Sequence, residues 1–209
     1  MRGFTAIIFS AILFGLAAFP VFAADQSVVE VVAARSGATY SLYDKLDQLR
    51  AGSRIPVNSV IHTDASGEAT IKFFDGTLLE IEPDSEVFLI DFADNPKDEV
   101  AIFSLNSGVA TLKPGNPEKR RERPLVVHTP QAKVDAGAAS LILQARDGKN
   151  HIYVDSMANR GVVVHDKIHG DELEILQTGE IATIAPEGAG ECTASSCILK
   201  RAKVKKPGS

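Results

Sequence analysis

Between Asn58 and Asp91 the chain reads NSVIHTDASGEATIKFFDGTLLEIEPDSEVFLID, which divides into three short strands, Ala69 to Phe74, Leu78 to Ile81 and Val87 to Asp91. Ile71 and Phe73 fall on one side of the first strand, with Thr70 and Lys72 on the other. Leu79 and Ile81 repeat the pattern against Leu78, Glu80 and Glu82. A period of two turns one face to a core and the other to water. The breaks are Asp75-Gly76 and Pro83-Asp84. An Asp-Gly pair between alternating runs is a strong tight-turn signal, because Gly takes a positive φ without steric cost. The chain therefore folds back at intervals of roughly eight to ten residues.

The same grammar governs most of the remaining sequence. Val28 to Ala34 reads as an entering strand. Val100 to Leu105 and Val109 to Leu112 flank Asn106-Ser107-Gly108, and Leu125 to His128 and Ala132 to Asp135 flank Thr129-Pro130. Ser140 to Arg146 and His151 to Asp155 form a hairpin around Asp147-Gly148; Gly161 to His165, Leu173 to Leu176 and Glu180 to Ile184 follow, and Ile198 to Val204 reads as a last strand. The one helical spacing, Leu42, Leu46 and Leu49, predicts a short helix within Tyr40 to Leu49. Pro114-Gly115-Asn116-Pro117 with Lys119 to Arg123 reads as an exposed linker and a site for proteolysis. The reading is an all-β chain of many short strands with little helix, arranged as an irregular β-solenoid, a β-roll or a sandwich. No strict repeat separates these three. The expected core is Ile71, Phe73, Leu79, Ile81, Val87, Leu89, Ile102, Val127, Val134, Leu141, Leu143, Val154, Val162 and Ile181.

The first residues stand apart. Arg2, the apolar run from Thr5 to Phe19 and the small residue at Ala23 have the form of a secretory signal cleaved after Ala23. An uncleaved anchor is the alternative, since Gly3 to Ala24 is long enough to span a bilayer. Cleavage leaves 186 residues with five Phe, three Tyr and no Trp, so the core rests on Val, Ile, Leu and Ala. The balance is then 21 basic against 27 acidic residues, which gives no sign of nucleic-acid binding. Nine of the acidic residues lie between Asp75 and Glu99, a solvated run. Cys192 and Cys197, in an exported chain, are read as a disulfide closing a tiny loop and contributing about 2 kcal/mol or less. Two thiols alone do not complete a zinc site.

A catalytic set is hard to find. His165, Asp166, His169 and Asp171 are the best metal candidates, but a strand before Gly170 and a turn at it send the two rings apart, and surface histidines are the expectation. His62, His128 and His151 read as outward residues of strands. Ser107, Ser140 and Ser156 lack a nucleophile elbow. Asp75 and Glu80 are read as turn and solvent face, and no Gly-rich phosphate loop occurs. No catalytic, cofactor or metal residue is expected.

The ordered turns support a resemblance. Leu49 to Ile55 (LRAGSRI), Asn58 to Thr63 (NSVIHT), Gly67 to Thr77 (GEATIKFFDGT), Ser85-Glu86-Val87, Leu105 to Gly108 (LNSG) and His128 to Ala132 (HTPQA) resemble, in order, the steps of the FecR domain of periplasmic bacterial regulators. The resemblance spans Leu46 to Ile184. It departs at Asp135-Ala136-Gly137-Ala138-Ala139, where many members carry Arg-Gly-Thr and this chain keeps only the Gly. It implies an all-β domain whose structural turns are Asp75, Gly76, Thr77, Gly108, Thr129, Pro130 and Gly137. In the membrane-spanning members, the domain receives a signal from an outer-membrane transporter and relays it to an anti-sigma segment. Here the signal segment comes first, so a stand-alone exported member is expected, periplasmic or secreted.

The division expected is a signal peptide (1–23), an N-terminal lead-in (24–45), a FecR-like β domain (46–190) and a basic tail (191–209) with the small disulfide loop. The function expected is non-catalytic binding of a cell-envelope protein or glycan, in envelope signalling or assembly, without cofactor or nucleic acid. An exported hydrolase acting on polysaccharide is the alternative. Lys200, Arg201, Lys203, Lys205 and Lys206 offer weak, salt-screened contact with anionic surfaces. Intact-mass measurement of the exported chain should give a species beginning at Ala24; retention of residues 1–23 would show an anchor instead.

Overall fold

The computed structural model describes residues 28–90, 100–120, 125–157, 161–167, 172–185 and 202–203. The signal segment, the end of the acidic run (91–99), Arg121 to Arg123, His169, Asp171, both cysteines and the basic tail, apart from the backbone of Lys203, lie outside the described residues. Seventeen strands pair into one network. They are β1 (Val28–Ala34), β2 (Ala38–Leu42), β3 (Lys45–Gln48), β4 (Arg54–Pro56), β5 (Val60–Thr63), β6 (Ala69–Lys72), β7 (Leu78–Ile81), β8 (Ser85–Leu89) and β9 (Val100–Lys113). After β9 come β10 (Leu125–His128), β11 (Ala132–Asp135), β12 (Ala139–Arg146), β13 (Lys149–Met157), β14 (Val162–Asp166), β15 (Glu172–Leu176), β16 (Glu180–Ile184) and β17 (Ala202–Lys203). A 3-10 turn at Pro117–Arg120 is the helical element among the described residues.

The network has two arms that share β9. One runs β4-β1-β6-β7-β9-β12-β13-β16-β17. The other runs β3-β2-β5-β8-β9-β10-β11-β14-β15. Every pairing is antiparallel except β9 with β10. The first part of β9 serves the second arm and the part from Gly108 onward serves the first. Between them the strand bends at Gly108, whose φ is +92° and where a Cβ would collide with Ser85. Only Gly meets both demands. The Ser85 hydroxyl accepts the Val109 N–H at 3.0 Å and holds the bend. The sheet so formed curls into a half-barrel around a single core.

Alternation places that core. Phe73, Phe103, Ile61, Ile71, Leu79, Leu89, Leu105 and Leu112 are among its largest members, with Val29, Val31 and Ala38 added from the first strands. Of the expected core residues, Ile71, Phe73, Leu79, Ile81, Val87, Leu89, Val127, Val134, Leu141, Leu143, Val154 and Val162 are buried. The Ile102 side chain lies outside the described residues; β9 buries Phe103 and Leu105. Ile181 is a correction. β16 turns Ala182 and Ile184 inward, and Ile181 stands half-buried in an outer row opposite Tyr153, which itself pairs with Ile142. The sequence Glu180 to Ile184 carries an apolar residue on both parities, so its register is set by β13 rather than by its own pattern.

Two further expectations change. The helix expected within Tyr40 to Leu49 is the β2–β3 hairpin, with Leu42 opposite Lys45 and Tyr43 at φ +54°. Leu46 is 68% exposed, so the leucine spacing marks no buried stripe. The expected linker is anchored at its start. The Gly115 N–H donates to the Thr77 hydroxyl at 2.9 Å and the Asn116 N–H to the Asp75 carbonyl at 2.9 Å. No helix among the described residues is long and apolar enough to cross a membrane. Phe73→Ala should cost about 3–5 kcal/mol in urea unfolding, against less than about 1 kcal/mol for Ile181→Ala; equal losses would invert the assignment of faces.

Candidate functional site

Four turns far apart in sequence meet at the Gly108 end of the half-barrel. The first, Pro83-Asp84, is held by Thr63, whose buried hydroxyl donates to the Glu82 carbonyl at 2.7 Å and accepts the Ser85 N–H at 2.9 Å. Asp84 there takes φ +55° and donates its N–H to the Asp64 carbonyl at 3.2 Å. The second, expected as a turn between two strands, is a bend within the unbroken β9 at Asn106-Ser107-Gly108. The third, Pro130-Gln131, is closed by Thr129, which is buried: its hydroxyl accepts the Ala132 N–H at 2.9 Å and its own N–H donates to the Ala132 carbonyl at 2.8 Å. The fourth is the two-residue Asp147-Gly148 turn between Arg146 and Lys149, both of whose residues take positive φ.

Together they line a groove of about 560 Å³. Its charged walls are Asp84, Arg146, Asp147 and Lys149, and its neutral polar groups include Asn106 and Gln131. No aromatic ring is among the lining residues. Asn106 is fixed in place, donating to Glu86 Oε1 at 2.8 Å and accepting from the Ser104 hydroxyl at 3.1 Å. Lys167 braces the third turn, donating its ammonium to the Thr129 carbonyl at 2.6 Å and its N–H to the Gln131 carbonyl at 2.8 Å. Burial holds the Lys167 amine below the ordinary lysine range. Next to Lys149, Asn150 is fully buried and its amide has no protein hydrogen-bond partner. The groove is thus rigid in backbone, mixed in charge and rich in hydrogen-bonding groups. Its two carboxylates occupy the left-handed turn positions that Asp tolerates, so turn geometry accounts for them.

Of the turn residues singled out in the sequence, Gly108 and Pro130 line this groove and Thr129 lies beneath Pro130. Asp75, Gly76 and Thr77 form a separate clasp. Asp75 is a correction as to exposure, being 2% exposed: its carboxylate accepts the Thr77 N–H at 2.9 Å and the Thr77 hydroxyl at 2.6 Å. Glu80 faces water and pairs with Lys113. Gly137 sits in the β11–β12 turn, its N–H on Asp135 Oδ1 at 3.0 Å. His165 and Asp166 are consecutive strand residues, half-buried and buried respectively. Among the described residues no group of three or more His, Cys, Asp or Glu is placed to hold a metal. Asp84, Gln131, Arg146 and Lys149 were not foreseen. Each is legible as a turn or strand-end residue, but which turns share an end is a property of the pairing.

One constellation has the order of a hydrolytic triad. Ser41 Oγ lies 3.5 Å from His62 Nε2, and His62 Nδ1 lies 3.5 Å from Glu86 Oε2. The three residues cross the outer face of β2, β5 and β8, whose backbone amides are committed to ladder pairing. Among the described residues the backbone amides beside these three are taken up by the sheet, so they offer no backbone oxyanion hole. Beside the groove, His151 Nδ1 meets the Thr183 hydroxyl at 2.8 Å; burial, reinforced by Lys149, holds its pKa below the ordinary histidine value. The fold therefore favours neutral His151. Its contribution is complete above about pH 6.5 and is lost as pH falls from there through the lower folded pKa. An NMR titration should place the His151 midpoint below that of an unfolded control, and His151→Gln should flatten the loss of stability over this window.

A family model described as FecR protein matches residues 59–159, a span that holds β5 to β13 and every residue lining the groove. No curated protein matches the chain. Two crystal structures of a candidate anti-sigma factor from Parabacteroides distasonis ATCC 8503, at 1.65 and 2.50 Å resolution, share the fold. Their TM-scores are 0.50 and 0.53 at 17% sequence identity. The similarity covers 69% of this chain and 59% of that protein, so the chain spans less than two thirds of its length. The order of the turns, the all-β half-barrel and the family match agree: residues 59–159 of this chain are similar to the FecR protein family.

Proposed function

We propose that the chain is an exported FecR domain that takes part in cell-envelope signalling by binding a partner protein in the groove at its Gly108 end. The observation that carries this is the convergence of four chain reversals and bends, three of them braced by side-chain hydrogen bonds, on one cleft of about 560 Å³. Rigid turns on a β scaffold are where recognition residues are commonly placed. Alternating Asp84, Arg146, Asp147 and Lys149 suit a polar protein loop of mixed charge. A glycan subsite ordinarily adds an aromatic platform, and the lining has none. The FecR family match and the fold shared with a candidate anti-sigma factor support a signalling role over an enzymatic one.

Export rests on Arg2, the apolar run to Phe19 and Ala23. In the oxidising compartment this implies, Cys192 and Cys197 pair, and the lysine-rich tail from Lys200 to Lys206 adds weak contact with anionic envelope surfaces. A photo-crosslinking residue at Gln131 or Arg146 should capture one envelope protein in cells, while the same probe at Thr70 or Lys72 on the outer face should not. The double variant Arg146→Glu, Lys149→Glu should weaken that association at least about tenfold and leave thermal stability unchanged. Capture of envelope glycan instead, or equal crosslinking from both faces, would overturn the reading.

A further inference from the structure

The free edge of the second arm has its own chemistry, independent of the groove. Among the described residues β3 pairs with β2 alone, and all four of its residues are exposed. Leu42 and Lys45 close a two-residue turn and so exchange hydrogen bonds, as do Tyr40 and Asp47. The Leu49 N–H on the Ala38 carbonyl at 3.0 Å continues that parity. It follows that the N–H and C=O of Leu46 and Gln48 point away from the sheet, the Gln48 N–H being held only by its neighbour Asp47 at 2.8 Å. Leu46 is 68% exposed beside this open ladder. At the hairpin tip, Tyr43 is 92% exposed and takes φ +54°, a position a tight hairpin usually gives to Gly or Asn. A bulky ring kept in that conformation, with almost no contact inside its own chain, points outward to another molecule.

The charges say which molecule. We infer that β3 pairs antiparallel with β3 of a second copy, with Leu46 of one chain opposite Leu46 of the other. In that register Lys45 of each copy faces Asp47 of the other, giving two opposite-charge cross-strand pairs. The same register joins the outward backbone groups of Leu46 to their twins, so hydrogen-bond parity and charge agree at the centre of the contact. A slip of one pairing step in either direction sets Lys45 against Lys45 or Asp47 against Asp47, which is unfavourable. Lys45 alone would be the usual guard against edge pairing; Asp47 two residues on turns the guard into a selector for a copy of itself. The contact is isologous and closes on a twofold axis, so it stops at the dimer. On the core-facing side of each hairpin, a hollow of about 690 Å³ with Tyr40, Leu42 and Pro56 in its wall adjoins Lys45 and Asp47.

Such an edge buries little area, so the dimer is a weak one. Sedimentation equilibrium of the chain recovered after export, from about 5 to about 500 µM, should show monomer passing to dimer and nothing larger. Lys45→Asp and Asp47→Lys should each weaken dimerisation about tenfold, and the double exchange should restore it to within about twofold. All three variants change only exposed side chains, and circular dichroism verifies that they fold. A chain that stays monomeric throughout, grows beyond the dimer, or responds alike to the single and double exchanges would overturn the proposal.

Discussion

One strand carries the architecture. β9 is 14 residues long and stands fifth of nine strands in each arm, so the two halves of the sheet are aligned by the backbone of a single segment. The bend at Gly108 converts one hydrogen-bonded direction into the other, and the positive φ and the close approach of Ser85 both exclude a side chain there. Because the inner faces of both arms meet in one core, the angle of that bend sets how closely Phe103 and Leu105 on one side approach Leu112 and Leu141 on the other. The groove is the outer lip of the same bend. Packing and recognition therefore depend on one local conformation.

Three buried threonines do comparable work at the turns. Thr63, Thr77 and Thr129 each present a hydroxyl to a backbone amide, those of Ser85, Gly115 and Ala132 respectively. Exchange of any one for the isosteric Val keeps the volume and strands the amide, at a cost of about 1–3 kcal/mol. The turns are in this way part of the interior and not decoration on its surface. Thr63 and Thr129 brace the backbone of two of the groove's turns.

Local conformation was readable from the residues, and assembly was not. Asp75-Gly76 and Asp147-Gly148 announce turns because the φ preference is written into those two residues. The partner of the first, Asn116, whose N–H donates to the Asp75 carbonyl, lies far along the chain in what reads as a linker, and no local pattern links the two. Leu42, Leu46 and Leu49 share a helical spacing by coincidence, since a hairpin of this length buries only the last of them fully. Ile181 failed because β16 has an apolar residue on either face. Groove residues such as Asp84 and Lys149 belong to different hairpins, and only the pairing of β8 and β12 with β9 brings those hairpins to the same end. Turn chemistry is encoded at short range, whereas a binding surface composed of turns is encoded in the topology.

The strand pairing has a temporal consequence. Every partner of β1 to β8 lies within β1 to β9, and every partner of β10 to β17 lies within β9 to β17. A chain delivered N-terminus first can thus complete the hydrogen bonding of its earlier half as soon as β9 emerges, without waiting for anything that follows. From then on, β9 presents a finished template against which β10 and β12 add. Vectorial delivery and fold topology are matched, and the long-range β pairing that makes such domains slow to fold from a full-length unfolded chain is divided into two shorter searches.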